Sequence, residues 1–376
     1  MDRDTELSLI DELLSLKARD SAFLDASTAR NPVQNYTSAD RFRAEQDKVL
    51  RRQLVSAAHS SELQGSGAFL QRHINGLPVL ITRDDGGHVH AYLNVCRHRG
   101  MRLVAEQTGC RHRFTCPYHA WSYANTGELI AAPQFEAGFP AQSKAELGLR
   151  RLHCEERFGF IWLTTAEHNG AQVSTYGDDL DAELEALDMQ NMVIAVEHTD
   201  VRKVNWKTLL EGGLEAYHFK VAHKNTIGPY FENNLSTYQT FGPHIRSVLA
   251  RSNFGALDTG SRDSWRLREH ANLLYTLFPT TQLLVQQDHV IWIRLEPISV
   301  GETHVRVVTL APRELSANQS HWQRNHGITA ATLNEDFAIG EAIQAGALSG
   351  ANDTFLFGRF EGALAKFNAT IQQALD

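Results

Sequence analysis

The chain has 376 residues, 42% of them hydrophobic and 21% charged, with a formal net charge of −8. That length exceeds one ordinary core and suits two domains, and the acidic balance, with no basic stripe, excludes a nucleic-acid footprint. No apolar run approaches the roughly 20 residues of a membrane span, the N-terminus lacks the pattern of a signal peptide, and four cysteines (Cys96, Cys110, Cys116, Cys154) are too few for a disulfide scaffold and suit a reducing, cytoplasmic setting.

Residues 5–17 place Leu7, Ile10 and Leu14 on one helical stripe with Leu9, Leu13 and Leu16 beside it, which predicts an amphipathic helix. From Phe69 the pattern becomes short β-like runs. Val79-Leu80-Ile81 and Val89 to Val95 flank Asp84-Asp85-Gly86-Gly87, a hairpin composition. Further strands are expected at 113–115, 121–123 and 158–163, so 40–165 reads as a small all-β domain. The polar stretch 166–187 reads as a connection. Beyond it, 206–222 reads as helical, 282–295 and 303–310 as strands paired across Pro297 to Gly301, and 331–348 and 358–374 as closing helices. The expected fold class is α+β: the all-β domain inserted into a mixed domain (1–39 with 166–376) that has an antiparallel sheet and flanking helices.

Cys96-Arg97-His98 is followed, after seventeen residues, by Cys116-Pro117-Tyr118-His119. Two Cys/His pairs make a four-ligand site whose soft thiolates suit zinc or an iron–sulfur cluster. A zinc finger groups Cys with Cys and His with His. Here each loop supplies one of each, as a Rieske centre needs, where one iron takes two Cys and the other two His. Tyr118, next to a ligand, is a candidate hydrogen-bond donor to sulfur. Cys110 and Cys154 read as small buried or half-buried hydrophobes. The string CRHRG…CPYHAWSY resembles the Rieske domain of the aromatic-ring-hydroxylating oxygenases, and the resemblance makes Cys96, His98, Cys116 and His119 the ligands of a [2Fe–2S] cluster.

Asn205-Trp206-Lys207 opens a stretch running through Glu211, Glu215, His218 and His223. Five residues separate the two His, about 140° on a regular helix, so one ion can take both only where the helix ends or widens. The pattern NWK…E-x3-E-x2-H-x4-H resembles the mononuclear-iron motif of the terminal oxygenase alpha subunits of the same family. By that match His218 and His223 bind Fe(II), and Glu215 is the acid that bridges toward a Rieske ligand of a neighbouring subunit. Residues 334–346 resemble the family's late helix, E-D-x4-E-x-x-Q-x-G, which assigns the third ligand to Asp336, with Glu335 and Glu341 as rivals. Two His and one carboxylate leave three positions open on iron for O2 and substrate. The chain departs from its relatives at Gly212, where Asn is frequent, and at Asn368, where His is frequent.

No G-x-G-x-x-G opening a βαβ unit and no plant-type ferredoxin pattern is present, so electrons from NAD(P)H must arrive through a separate reductase, with or without a ferredoxin. The resemblance implies a homotrimer (α3, with α3β3 as the other assembly) and oxygen insertion into a small organic substrate: an arene, or an N- or O-alkyl group or quaternary amine. The pocket is expected within 225–330, with Tyr230, Phe231, Phe241, Phe254, Leu274, Leu277, Leu284 and Trp292 as candidate walls and Arg246 or Arg251 as a carboxylate clamp. A Rieske electron carrier without oxygenase chemistry is the alternative reading; a zinc-stabilised binding module is another.

Overall fold

The computed structural model describes residues 1–166, 177–257 and 260–376. The chain divides into two compact units: Arg51–Gln172, and Met1–Leu50 together with Val173–Asp376. The expected boundary at 40 shifts to 51 for a physical reason. Ser38 caps a helix over Ala39–Glu45 by accepting the Arg41 N–H, and Phe42, Val49 and Leu50 are buried in the core of the larger unit.

The smaller unit is all β. A five-stranded antiparallel sheet runs, in spatial order, Arg151–Leu152, Val89–Leu93, Leu77–Arg83, Ala68–Ile74 and Thr108–Cys110. Two three-stranded sheets accompany it: Cys154–Arg157, Phe160–Leu163 and Val55–His59; and Arg113–Thr115, Ser122–Ala124 and Leu129–Ala131. The hairpin expected around Asp84 forms, with Asp84 Oδ1 accepting the His88 N–H at 2.8 Å. Cys154 is half-buried, but Cys110, expected inside, is exposed. It lies on the edge strand Thr108–Cys110, whose three residues all face solvent.

The larger unit is built on a seven-stranded antiparallel sheet. Its strands are β1 (Met192–Arg202), β2 (Phe231–Phe241), β3 (His244–Arg251), β4 (Ala271–Leu277), β5 (Thr281–Val285), β6 (Val290–Ser299) and β7 (Glu302–Pro312), in the order β1-β7-β6-β5-β4-β3-β2. The run expected as one strand over 282–295 is two strands, β5 and β6, which pair with each other. The expected connection 166–187 contains a helix, Asp178–Glu185, that buries Leu180 and Leu184; residues 167–176 of it lie outside the described residues.

Around the sheet lie helices α1 (Arg3–Ala18), α2 (Ala39–Glu45), α3 (Trp206–Gly212), α4 (Phe219–Ala222), α5 (Gln319–Leu348) and α6 (Gly362–Leu375). Helix α1 buries Leu7 and Ile10 of its expected stripe, together with the flanking Leu9, Leu13 and Leu16, while Leu14 is only half-buried. Helix α5 starts twelve residues before the expected 331. Among the described residues, no helix is long and apolar enough to cross a membrane.

Candidate metal centres

In the smaller unit the two Cys/His loops are built alike. The Cys96 N–H donates to Met101 O at 2.8 Å and Cys96 O accepts from Gly100 N at 3.0 Å; Cys116 repeats this with Trp121 O at 2.8 Å and Ala120 N at 3.0 Å. Each loop closes on a left-handed residue, Gly100 at φ +78° and Ala120 at φ +58°. Glycine takes that conformation freely, whereas Ala120 adopts it at a cost that the loop's hydrogen bonds offset.

These turns set both sulfurs inward and both rings outward. Cys96 and Cys116 are 2% and 3% exposed and belong to a core with Trp121, Tyr123 and Phe135. His98 is half-buried and His119 exposed, their ring centroids 4.8 Å apart. His98 stacks on Trp121 at 4.9 Å, nearly parallel. Burial pushes the Cys96 thiol up, with the Cys116 thiol beside it adding to the effect. Among the described residues these four do not crowd three donor atoms within 4.8 Å of one another, as one tetrahedral zinc needs. Sulfur beside sulfur and ring beside ring fit a two-iron cluster instead.

The proposed sulfur donor Tyr118 is 55% exposed, and its hydroxyl meets Arg99 at 3.0 Å. Tyr123 takes that place: its buried hydroxyl lies 3.3 Å from Cys96 Sγ and accepts the Arg97 N–H at 3.0 Å. Its O–H therefore points at the sulfur.

In the larger unit the NWK motif explains itself residue by residue. The Asn205 side chain caps α3 by accepting the Lys207 N–H at 3.1 Å, and its backbone N–H reaches Gln344 of α5 at 3.0 Å. Trp206 is fully buried and donates to Glu45 at 3.1 Å. Lys207, 1% exposed, meets both oxygens of Glu45 at 2.9 and 2.7 Å. Helix α3 ends at Gly213, where a Cβ would sit 2.8 Å from Gln282 Nε2. The chain then turns irregularly and places His218 and His223 at the two ends of the single-turn helix α4. This break solves the spacing problem.

His218 Nε2 and His223 Nε2 lie 3.2 Å apart, and Asp336 Oδ1 is 3.4 and 3.0 Å from them. Three cis ligands on a six-coordinate ion with bonds of about 2.1 Å would stand about 3.0 Å apart. The triangle has the size of one face of such an ion, and among the described residues no other three His, Cys, Asp or Glu donors lie as close together. The rivals point elsewhere. Glu341 accepts the Lys203 N–H at 3.0 Å. Glu335 holds the other nitrogen of His223, Nδ1, at 2.8 Å, and the Thr226 hydroxyl at 2.5 Å. Glu215 does the same for His218 Nδ1 and also accepts the His218 N–H at 3.2 Å. Each imidazole is thus oriented by a carboxylate on the nitrogen away from the metal position, which fixes its tautomer and raises its basicity.

The electrostatics agree. Burial lowers His218, but Asp336 and Glu215 outweigh it and lift it to about 10; His223 is raised against burial by Asp336 and Glu335. Burial raises Asp336, yet the two imidazoles hold it below its ordinary value. The triangle favours cationic charge at its centre, which a divalent ion would supply.

One cavity opens on this triangle, and a second begins one turn along α5 from it, at Leu333. The first, of about 360 Å³, is lined by Glu211, Glu215, His218, Asp336, Ile339 and Phe357 among others. The second, of about 510 Å³, is lined by Tyr230, Phe231, Leu284, Leu333 and a set of polar groups. Of the expected wall residues, Tyr230, Phe231 and Leu284 line it; Phe254, Leu274, Leu277 and Trp292 are buried. Buried Glu211, raised to about 7 by burial, is held by the Tyr36 hydroxyl and by Asn368, both at 2.6 Å. Neither Tyr36 nor Asn368 could be linked to it from spacing, since they lie 175 and 157 positions away in the chain.

Comparison with known proteins follows the same division. The Rieske [2Fe-2S] domain matches residues 53–149, and the ring hydroxylating alpha subunit (catalytic domain) matches 180–376, more than half of the chain. The chain is 31% identical over 218 residues to the glycine betaine monooxygenase oxygenase subunit of Pseudomonas aeruginosa (strain UCBPP-PA14), covering 58% of this chain and 48% of that protein. It is 33% identical over 196 residues to the carnitine monooxygenase oxygenase subunit of Escherichia coli (strain K12), covering 51% of each. The match thus spans about half the length of these curated relatives. Its fold is similar to a solved quaternary ammonium Rieske monooxygenase with an inhibitor (TM-score 0.79, 21% identity, 93% of this chain and 96% of that one). It is also similar to naphthalene 1,2-dioxygenase with indole bound (TM-score 0.76, 18% identity, 92% of each). With both domains matched in order and with donor sets that fit a [2Fe–2S] cluster and a mononuclear iron, the chain belongs to the family of Rieske-type ring-hydroxylating oxygenase alpha subunits.

Proposed function

We propose that the chain is the terminal oxygenase of a multicomponent system, taking electrons from a separate reductase and inserting oxygen from O2 into a small organic substrate. The triangle of His218, His223 and Asp336, with an orienting carboxylate behind each imidazole, is the observation that carries this reading. An electron carrier would have no use for it.

Cys96, His98, Cys116 and His119 would hold the cluster, and His218, His223 and Asp336 the iron. When bound, the iron supplies O2 activation with two electrons and two protons per turnover. The chain's own groups do the rest. Tyr123 directs a hydrogen bond at a cluster sulfur, Glu215 and Glu335 fix the imidazoles, and the apolar walls exclude water. Glu215 lines the 360 Å³ cavity beside His218, where it is suited to bridge to a Rieske ligand of a second copy. At the same cavity Leu356 is 60% exposed, and Ile339 and Ile343 are each 41% exposed, an apolar rim suited to docking. We therefore favour a homotrimer in which the cluster of one copy serves the iron of the next. Four cysteines without disulfides and a need for NAD(P)H-derived electrons favour the cytoplasm.

The relatives named for glycine betaine and carnitine, and the structural neighbour named for naphthalene, bracket the substrates to assay. The test is iron content together with O2 uptake in the presence of a generic reductase and a panel of arenes, aromatic acids and N-methyl amines. Two cluster irons plus one mononuclear iron per chain, with substrate-dependent uptake, are expected. Two irons and no uptake would leave the electron-carrier alternative.

A further inference from the structure

The two cavities lie end to end along one face of α5. Asn325, Ile328, Thr329, Thr332 and Leu333 line the larger one, and Asp336, Ile339, Gly340 and Ile343 the smaller. Their spacing of three and four is a single helical stripe with Asp336 at the junction. The larger cavity therefore begins one turn from Asp336, at Leu333, and extends toward the helix start, over about 12 Å of helix between Asn325 and Leu333 at ~1.5 Å per residue.

Its two ends differ. At the end nearer Asp336 the walls include Leu333 and Ile227, four residues after His223; Arg251 and Gln286, which share a hydrogen bond, lie toward the helix start, where the neighbouring Asp288 meets His321. Arg251 differs from three other arginines of the same sheet. Arg246 is paired with Glu183, Arg294 with Glu296 and Arg306 with Glu197. Arg251 instead meets neutral oxygens: Nε and Nη2 donate to Asn272 Oδ1 at 2.8 and 2.6 Å, and Nη2 to Gln286 Oε1 at 2.9 Å. Among the described residues Nη1 makes no hydrogen bond and no carboxylate pairs with the guanidinium. The amide nitrogens of Asn272, itself 4% exposed, and Gln286 are likewise without acceptors there. Asp288, whose charge reaches Arg251, is engaged at closer range by His289 at 2.7 Å and His321 at 2.8 Å. Arg268 adds a second cation behind this end, donating to the Gln286 carbonyl at 3.0 and 2.6 Å.

A half-buried guanidinium without a counter-ion, flanked by free amide donors, carries a standing electrostatic cost that an incoming carboxylate relieves. Resting on the oxygenase reading, we propose that Arg251, with the Asn272 and Gln286 amides, binds the carboxylate of the substrate, so that this enzyme takes small organic acids, their apolar portion directed along α5 toward Asp336. Arg246, the other clamp that the sequence offers, is 1% exposed and engaged by Glu183, so it is not available.

The test is calorimetric binding to the metal-loaded protein of matched acids and primary amides: benzoate with benzamide, hexanoate with hexanamide, and 4-(dimethylamino)butanoate with its amide. At least one acid is expected to bind about tenfold tighter than its amide, the scale of one charge-assisted hydrogen bond. In Arg251→Gln the preference should fall to within about twofold. Asn272→Asp, which sets a carboxylate of the chain against the guanidinium, should do the same with little steric change. Iron content and the visible spectrum should be unchanged in both. Equal binding of acid and amide, no binding by any probe, or a preference that survives both substitutions would overturn the assignment. Protein that holds its mononuclear iron and consumes O2 yet shows no preference for acids sinks this inference alone; protein without that iron sinks the oxygenase reading.

Discussion

The Tyr123 hydroxyl illustrates how little sequence adjacency says about a metal ligand's surroundings. Tyr118 neighbours His119 in the chain but turns to solvent, while Tyr123 returns on the strand Ser122–Ala124 beneath the loop and reaches Cys96. That strand position follows from the loop's fold and is not encoded in any spacing. Removing the hydrogen bond in Tyr123→Phe should lower the cluster potential by about 40 mV, taking about 1 kcal/mol of differential stabilisation at ~59 mV per 1.4 kcal/mol for one electron. Protein-film voltammetry measures it directly, and an unchanged potential would remove Tyr123 from the electronic picture. Glu335 is the parallel case at the other centre. Glu335→Ala should weaken iron binding about 10- to 100-fold, read by metal titration, with the cluster's spectrum intact.

Glu211 is a third residue with a measurable signature. Its carboxyl, raised from 4.5 to about 7, binds a proton more readily folded than unfolded. Stability should therefore fall as pH rises from 4.5 to about 7, and level off above. Glu211→Gln keeps an oxygen for Tyr36 and Asn368 and should flatten this profile, gaining about 3 kcal/mol at pH 8 relative to wild type. Urea unfolding at pH 5 and pH 8 tests it.

Among the elements, helices α1 and α6 were readable because each buries one stripe of a 3.6-residue period. Strand β2 was not: Phe231–Phe241 carries Glu232, Asn233, Asn234 and Gln239 and reads as loop until its ladder with β3 satisfies the backbone. Helix α5 was cut short because its first turns alternate His, Asn and Gly327 with apolar residues and hide the stripe. The joint between α2 and α3 was invisible for another reason: its content is a buried ion pair. Lys207 and Glu45 are 1% and 0% exposed, and burial pulls the Lys207 ammonium down while Glu45 opposes it. Glu45→Ala strands that cation and should cost about 3–5 kcal/mol, with Glu45→Ala/Lys207→Met recovering most of it. Thermal unfolding of the single and double variants checks the pair.

At the scale of the whole molecule, the two lobes and the seven proposed ligands were legible because metal chemistry restricts residue type and spacing so severely. Glu215 was legible as an acid near the site, while its hydrogen bond to His218 came only with coordinates. Assembly is tested at the rim of the smaller cavity: Leu356→Asp should convert trimer to monomer in size-exclusion light scattering and slow cluster-to-iron electron transfer, with both metals retained. A monomeric wild type would defeat this.

The interruption of the larger unit by residues 51–172 carries one more consequence. Phe42, Val49 and Leu50 leave the ribosome well before Trp206, Leu364 and Phe367, beside which they are buried in the finished core. During synthesis these early apolar side chains wait without partners until the intervening β lobe has folded and drawn the two ends of its own segment together. The β lobe thus acts as a scaffold in time, shortening the loop that the late helices must close. Weakening it should lower the yield of the larger unit even where every contact within that unit is preserved.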